Sequence, residues 1–243
     1  MLEYIKAENL KCKRTFAKKL VVIAPVCMLL LALISGRYFV ENGYNWWYVL
    51  ILPGFITLLT ALVNQIEEKK LRCRAVFPLP ISLKKTWVAK VLLISAYVAA
   101  ANIIHMAGIL LGRATYNTAS NIAPYQVAAA SMILIVISLW QIPLCLFLSK
   151  KFGLLTTILL NLGGGVVLEI LAADKSFWWA CPYAWASRLM CPVLGVLPAG
   201  VMAKAGDTML NPVVIPVGII LSLILFALLL LATSLWFPKQ EVK

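Results

Sequence analysis

Apolar runs about as long as a bilayer is thick recur along this chain, and their ends are marked by lysine, arginine or proline. About 20 apolar residues cross the hydrocarbon layer as a helix. Six runs qualify, over 20–39, 46–64, 87–112, 126–149, 152–173 and 212–236. A membrane β-barrel needs alternating segments of about 10 residues, and the chain has none. Hydrophobic residues make up 63% of the sequence and charged ones 13%. A soluble domain of this length has no core large enough to bury that much apolar surface. The expected fold class is therefore an all-α polytopic membrane protein with six transmembrane helices, forming a single domain over 1–243. The first apolar run follows about twenty polar residues and lacks a small-residue cleavage site, so no cleavable signal is expected.

Charge sets the expected orientation. The connections on one side, with both termini, hold seventeen Lys and Arg, and those on the other side hold five. Cationic loops stay in the cytoplasm, which places both termini there. The net charge of +13 is gathered at run ends, so nucleic acid is not expected as a partner. Residues 1–19 mix Leu2, Ile5, Asn9, Leu10 and Phe16 with six basic residues. As a helix they would lie in the headgroup layer with lysines toward anionic lipid.

The longest polar interruption on the cytoplasmic side is 65–90, with seven Lys or Arg and two Glu. Leu71, Ala75 and Val76 fall on one edge of a helix beside Arg72 and Arg74. Pro78 and Pro80 would end that helix, because proline lacks an N–H and disfavours a helical predecessor. Ser82 would cap the next. A short amphipathic helix between two spans suits docking of a soluble partner; a solvated basic loop that only sets topology is the alternative. The docking residues would be Glu67, Glu68, Leu71, Arg72, Arg74, Ala75 and Phe77.

Polar residues inside the runs are few. Asn102 and His105, the chain's single histidine, share a helix face in run three. Gln141 precedes Pro143 in run four, and Asn161 precedes three glycines in run five. Glu169 lies near the outer end of run five, where a carboxylate needs a partner or water. Tyr44, Trp46, Trp47 and Tyr48 read as an aromatic belt at the outer interface. Pro25 and Pro53-Gly54 predict bends.

The outer segment 174–211 is apolar but broken by prolines, which suits short or re-entrant helices. Its Trp178, Trp179 and Trp185, with Glu169 and Asp174, are candidate contacts for a cationic, apolar substrate. Cys181 and Cys191 are either a disulfide pair or two free thiols.

Several chemistries are excluded. No phosphate-binding G-x-x-x-x-G-K-[ST] occurs, and one histidine with scattered cysteines does not make a zinc site. The run Glu67-Glu68-Lys-Lys-Leu-Arg72 resembles the first motif of CAAX-type intramembrane proteases. That family also needs Phe-x-x-x-His and a second histidine; here position 101 is Ala and His105 stands alone.

A closer resemblance covers nearly the whole chain. Six runs, a first cytoplasmic loop with Leu79-Pro-Ile-Ser82, and broken outer helices before the last run resemble an ABC-2-type exporter permease. Glu8-Asn-Leu-Lys-Cys-Lys-Arg-Thr15, Asn42-Gly-Tyr-Asn-Trp-Trp-Tyr48 and Leu79-Pro-Ile-Ser-Leu-Lys-Lys85 resemble the lantibiotic immunity permeases of the MutE/EpiE (LanE) group. The resemblance implies a bacterial plasma-membrane subunit that pairs with a second permease and two copies of an ATPase. ATP and Mg would bind the ATPase, with no cofactor, metal or catalytic residue on this chain. The substrate would be a lantibiotic, a cationic antimicrobial peptide expelled from the membrane of its producer. The alternative is a non-transporting membrane immunity or anchor protein that sequesters a peptide or recruits a partner.

Overall fold

The computed structural model describes residues 1–66, 82–115 and 121–240, and among them every regular element is helical. A single isolated bridge joins Val196 to Met202. The expected docking residues Glu67, Glu68, Leu71, Arg72, Arg74, Ala75 and Phe77 lie outside the described residues.

Helix α1, Leu2–Cys12, packs on α5, Leu83–Thr115. It ends at Cys12, short of the expected 19, and Arg14 turns the chain with φ 62°. The side turned inward carries Glu8 and Cys12, not an apolar stripe, and Leu2, Leu10 and Phe16 remain exposed. Tyr97 donates to Asn9 Oδ1 at 2.7 Å, which fixes α1 along α5.

Helix α2, Phe16–Leu33, runs through Pro25 and is followed by a short turn, Gly36–Tyr38. The helix that follows begins at Phe39, so Asn42–Asn45 is helical and the connection is shorter than expected. Helix α3, Phe39–Trp46, passes through a wider turn, Trp47–Ile51, into α4, Leu52–Gln65. The wide turn has a cause in Pro53, which has no N–H for the ladder; Leu52 donates back to Trp47 O instead. This composite helix is the central one: 61% of its apolar window is buried, against 17% for the last helix.

Glycines let α5 approach its neighbours. A Cβ at Gly108 would lie 2.1 Å from Leu29, and one at Gly112 would lie 2.4 Å from the Phe39 ring. In lipid, such close approach is what holds helices together, since burial between them yields no hydrophobic gain.

Helix α6, Pro124–Ser138, breaks before α7, Gln141–Thr157. Pro143 explains the break: it cannot donate to Leu139 O, and Ile142 bonds that carbonyl instead at 3.1 Å. Within α7 the chain leaves helical geometry at Gly153, φ 83° and ψ 176°. Asn161 Nδ2 then lies 3.3 Å from Gln141 Oε1. A straight helix would separate those residues by about 30 Å, so the chain folds back at Gly153, beside Lys150 and Lys151. A wider turn, Ile158–Gly164, leads into α8, Gly165–Ala172.

From Ala173 the chain descends into the bundle through short turns at Trp178–Ala180 and Pro182–Ala184. Helix α9, Trp185–Leu194, climbs back and stops at Gly195, whose φ of 71° suits glycine. The depth is marked by contacts. Trp185 lies beside Trp140, with ring centroids 6.2 Å apart, whereas Val193 O accepts from Gln126 near the start of α6. The segment enters and leaves by the same face. Helix α10, Val214–Trp236, completes the fold and meets α9 where Gly218 faces Leu189.

Five helical stretches are long and apolar enough to cross a membrane: Phe16–Leu33, Gly36–Gln65, Leu83–Ala114, Gln141–Ala172 and Val214–Lys239. Pro124–Ser138 is apolar but shorter. The protein is a multi-pass, all-helical membrane protein. Both ends of the described chain lie at one end of the bundle, here the near end. There Trp87 stacks on Phe237 with centroids 4.6 Å apart and donates to Thr233 Oγ1. Lys90 is buried there, with its ammonium over the Trp87 and Phe237 rings at 5.7 and 5.8 Å.

Candidate functional site: a polar seam beneath the re-entrant segment

The central helix carries polar side chains along its buried length, and they meet partners from four other elements. Asn161 is the hub. Its amide nitrogen reaches Thr57 Oγ1 at 2.9 Å, Gln141 Oε1 at 3.3 Å and Pro53 O at 3.4 Å. Its oxygen accepts from Tyr183 Oη at 3.2 Å. Thr57 is free to accept because its own proton goes to Pro53 O at 2.8 Å. The hub thus ties together α4, the start of α7, the 158–164 turn and the re-entrant segment. Each such bond in a membrane contributes about 0.6 kcal/mol on average, so their value lies in fixing geometry.

Above the hub, the Ser187 hydroxyl donates to Glu169 Oε1. Glu169 is buried, and Tyr48, Gln141, Asn161 and Tyr183 line the same crevice. The enclosed space is about 20 Å³, room for a single water. A side chain or peptide enters only if the re-entrant segment moves. Gly165 packs directly on Tyr183, where a Cβ would come within 2.8 Å. At the near end, Asn64 donates to Leu146 O and to Ser149 Oγ at 2.9 and 2.7 Å, closing the seam.

The expected substrate residues do not form one surface. Trp178 is buried, with the Arg188 guanidinium 5.9 Å from its ring centre. Arg188 in turn donates to Met209 O at 2.6 Å. Trp185 is buried and donates to Trp179 O at 3.1 Å. Trp179 itself is 56% exposed. Asp174 is exposed and pairs with its neighbour Lys175 at 3.0 Å. That hydrogen bond holds its carboxyl below the usual aspartate range. Exposed Asp174 and Trp179 therefore sit at the surface, and Glu169, Trp178 and Trp185 belong to the interior. Cys181 and Cys191 are free thiols, bonded to Leu168 O and Ser187 O.

The expected aromatic belt is corrected. Trp47, Tyr48 and Tyr44 are buried, and of the four only Trp46 is exposed. The Tyr48 hydroxyl accepts from Asn45 of the same helix at 3.1 Å, and the polar handles of Tyr44 and Trp47 are satisfied by other helices. Tyr44 Oη donates to Val127 O at 2.8 Å and meets Ser131 Oγ. Trp47 Nε1 donates to Asn102 Oδ1 at 3.0 Å, and His105 Nε2 meets Gly43 O at 3.1 Å. The Asn102–His105 pair thus clasps the central helix.

Sequence reasoning missed Thr57, Tyr183 and Ser187. Thr57 and Tyr183 carry no local signal, since their partners lie far off in sequence. The prolines at 53 and 182 mark where backbone carbonyls and turns become available. Among the described residues, no group of three or more His, Cys, Asp or Glu is placed to hold a metal. No protein-family model matches the chain, and no curated protein or solved structure matches it.

Proposed function

We propose that this chain is the permease subunit of an ABC-2-type exporter that expels a lantibiotic peptide from the membrane of its producer. The observation that carries the reading is the re-entrant segment 178–194, pinned to the spans by Asn161, Glu169 and Gln126. A simple anchor has no use for a hydrogen-bonded plug on one face; a gated path for an amphipathic cation does. The fold-back at Gly153 supports six crossings, with α6 and the first part of α7 as one broken span and 153–172 as the next. The charge distribution supports cytoplasmic termini. Twelve Lys and Arg of the described residues lie at the near end and five at the far end.

In this reading a separate ATPase, carrying ATP and Mg, docks at the near end through the 65–90 loop. Its closure moves α4 and α5, which flank that loop. Motion of α4 breaks the Thr57–Asn161–Tyr183 bonds and frees the plug. A second permease subunit completes the path, against lipid-facing α8 or α10.

The test is co-purification of the tagged chain with an ATPase and second permease expressed beside it, with lantibiotic survival scored in parallel. Phe77→Asp is expected to lose both the ATPase and resistance while the permease stays in the membrane. Full ATPase recovery with Phe77→Asp removes the docking role of the loop. Resistance that survives without any ATPase leaves peptide sequestration as the function.

A further inference from the structure

The elbow between α1 and α2 opens a groove of about 300 Å³ at the near end. Arg14, Phe16 and Ala17 wall one side, and Leu62, Gln65 and Ile66 the other. The space is far larger than the single-water crevice at Glu169 and is on the scale of a phospholipid headgroup. The groove has two halves. Phe16 opens α2 and Leu62 lies in the last turn of α4, so this half is apolar. Arg14 and the Gln65 amide form the polar half.

Among the described residues, the charge around the groove has no counter-ion. Lys13, Arg14, Lys18 and Lys19 are all exposed. None of their side chains makes an ion pair or hydrogen bond among the described residues. The left-handed backbone at Arg14 places this cation at the bend itself. Thr15 does not cap α2, because its hydroxyl is turned back to Cys12 O at 2.7 Å. The bend thus presents positive charge with no acidic partner among the described residues, beside an apolar slot at the depth where spans enter the bilayer.

We infer that this groove is a binding site for an anionic phospholipid, its phosphate held by Arg14 with the neighbouring lysines and its acyl chain lying along Phe16 and Leu62. A guanidinium forks onto phosphate oxygens, and cationic segments at a membrane surface attract anionic headgroups. An acidic peptide is disfavoured because the slot beside Arg14 is apolar and continuous with the spans. The inference needs only that the near end lies at a bilayer surface, and is independent of transport.

The experiment is native mass spectrometry of the full chain released from nanodiscs of equal phosphatidylglycerol and phosphatidylcholine. One phosphatidylglycerol is expected to remain in preference to phosphatidylcholine. Arg14→Asn, which tolerates the left-handed backbone, is expected to reduce that retention about fivefold. Leu62→Trp, which fills the slot, is expected to do the same, whereas Lys6→Gln, at a lysine that does not line the groove and pairs with Glu3, leaves it unchanged. Equal retention of both lipids, or full retention by Arg14→Asn and Leu62→Trp, overturns the site. Soluble glycerol phosphate that raises Tm as much as phosphatidylglycerol makes it a free-phosphate site and overturns the lipid assignment. Glu67 and Glu68 follow Ile66 in sequence. Phosphatidylglycerol retention that rises in Glu67→Gln/Glu68→Gln and then depends on Arg14 supports the assignment. Retention indifferent to Arg14 in that background rejects it.

Discussion

The Trp47 indole lies flat against the His105 imidazole, with centroids 4.6 Å apart and planes 7° from parallel. Tyr44 closes the cluster edge-on at 5.1 Å. The indole N–H is satisfied by Asn102 and the imidazole Nε2 by Gly43 O, but His105 Nδ1 is buried with no partner among the described residues. Removing Asn102 therefore costs more than removing His105. Asn102→Leu strands the indole donor and is expected to destabilise by about 1–3 kcal/mol. His105→Phe keeps the stack and deletes an orphan atom, so its cost is smaller. Thermal unfolding of the purified variants in one detergent checks the order, and the reverse order would sink the clasp.

The hub at Asn161 is expected to act as a unit. Asn161→Leu and Gln141→Leu each break the seam, so the double variant should unfold at nearly the temperature of the worse single one. Residues that share a hydrogen-bond network couple by about 0.5–3 kcal/mol. Strict additivity in the double-mutant cycle would show that the two side chains work independently.

Close packing at Gly112 yields a suppressor prediction. A side chain there meets the Phe39 ring, which has little freedom to move aside. Gly112→Val is expected to lower membrane levels, and Phe39→Ala in the same chain to restore them in part. Failure of Phe39→Ala to rescue would place the clash elsewhere.

Topology is open to a direct assay. In a cysteine-free background, Trp179→Cys is expected to react with an impermeant maleimide applied outside cells, and Lys85→Cys only after permeabilisation. The opposite pattern inverts the bundle.

Asp174 makes a small, signed contribution. Its carboxyl is held below the usual range by Lys175, so any stability it contributes is present above the unfolded pKa. That contribution is lost as pH falls through the lowered folded value. The pair is fully open to water, where screening leaves little. Asp174→Asn is expected to leave Tm within replicate scatter at neutral pH; a clear drop would mean a partner not seen here.

Helix positions were legible because lipid demands long apolar runs: 212–236 holds α10, whereas the run 20–39 overshot α2, which ends at Leu33 before the turn at Gly36–Tyr38. The break between the runs 126–149 and 152–173 was legible from the two lysines that separate them, and the structure reverses at Gly153. The broken character of 174–211 followed from its prolines, though not how deep it reaches. The aromatic segment 44–48 misled, because interfacial and buried aromatics look alike in one sequence. What separates them is whether Ser131, Asn102 and Val127 arrive from elsewhere to satisfy each polar atom. The candidate substrate residues divided for a similar reason: Trp178 lies under Arg188 and Trp185 packs against Trp140, whereas the Trp179 ring stays exposed.

A segment that enters and leaves by one face also imposes an order on biogenesis. Residues 178–194 are never handed to lipid as a finished span, because Tyr183, Ser187 and Arg188 find their partners outside the segment, at Asn161, Glu169 and Met209. The Gln126 amide and the Asn161 oxygen are made first and wait for Val193 and Tyr183. Leu189 waits for the last helix to bring Gly218. Until α10 leaves the insertion machinery, the plug has only part of its socket, so a ribosome stalled just past Asn211 holds a nearly complete bundle with its lid unseated.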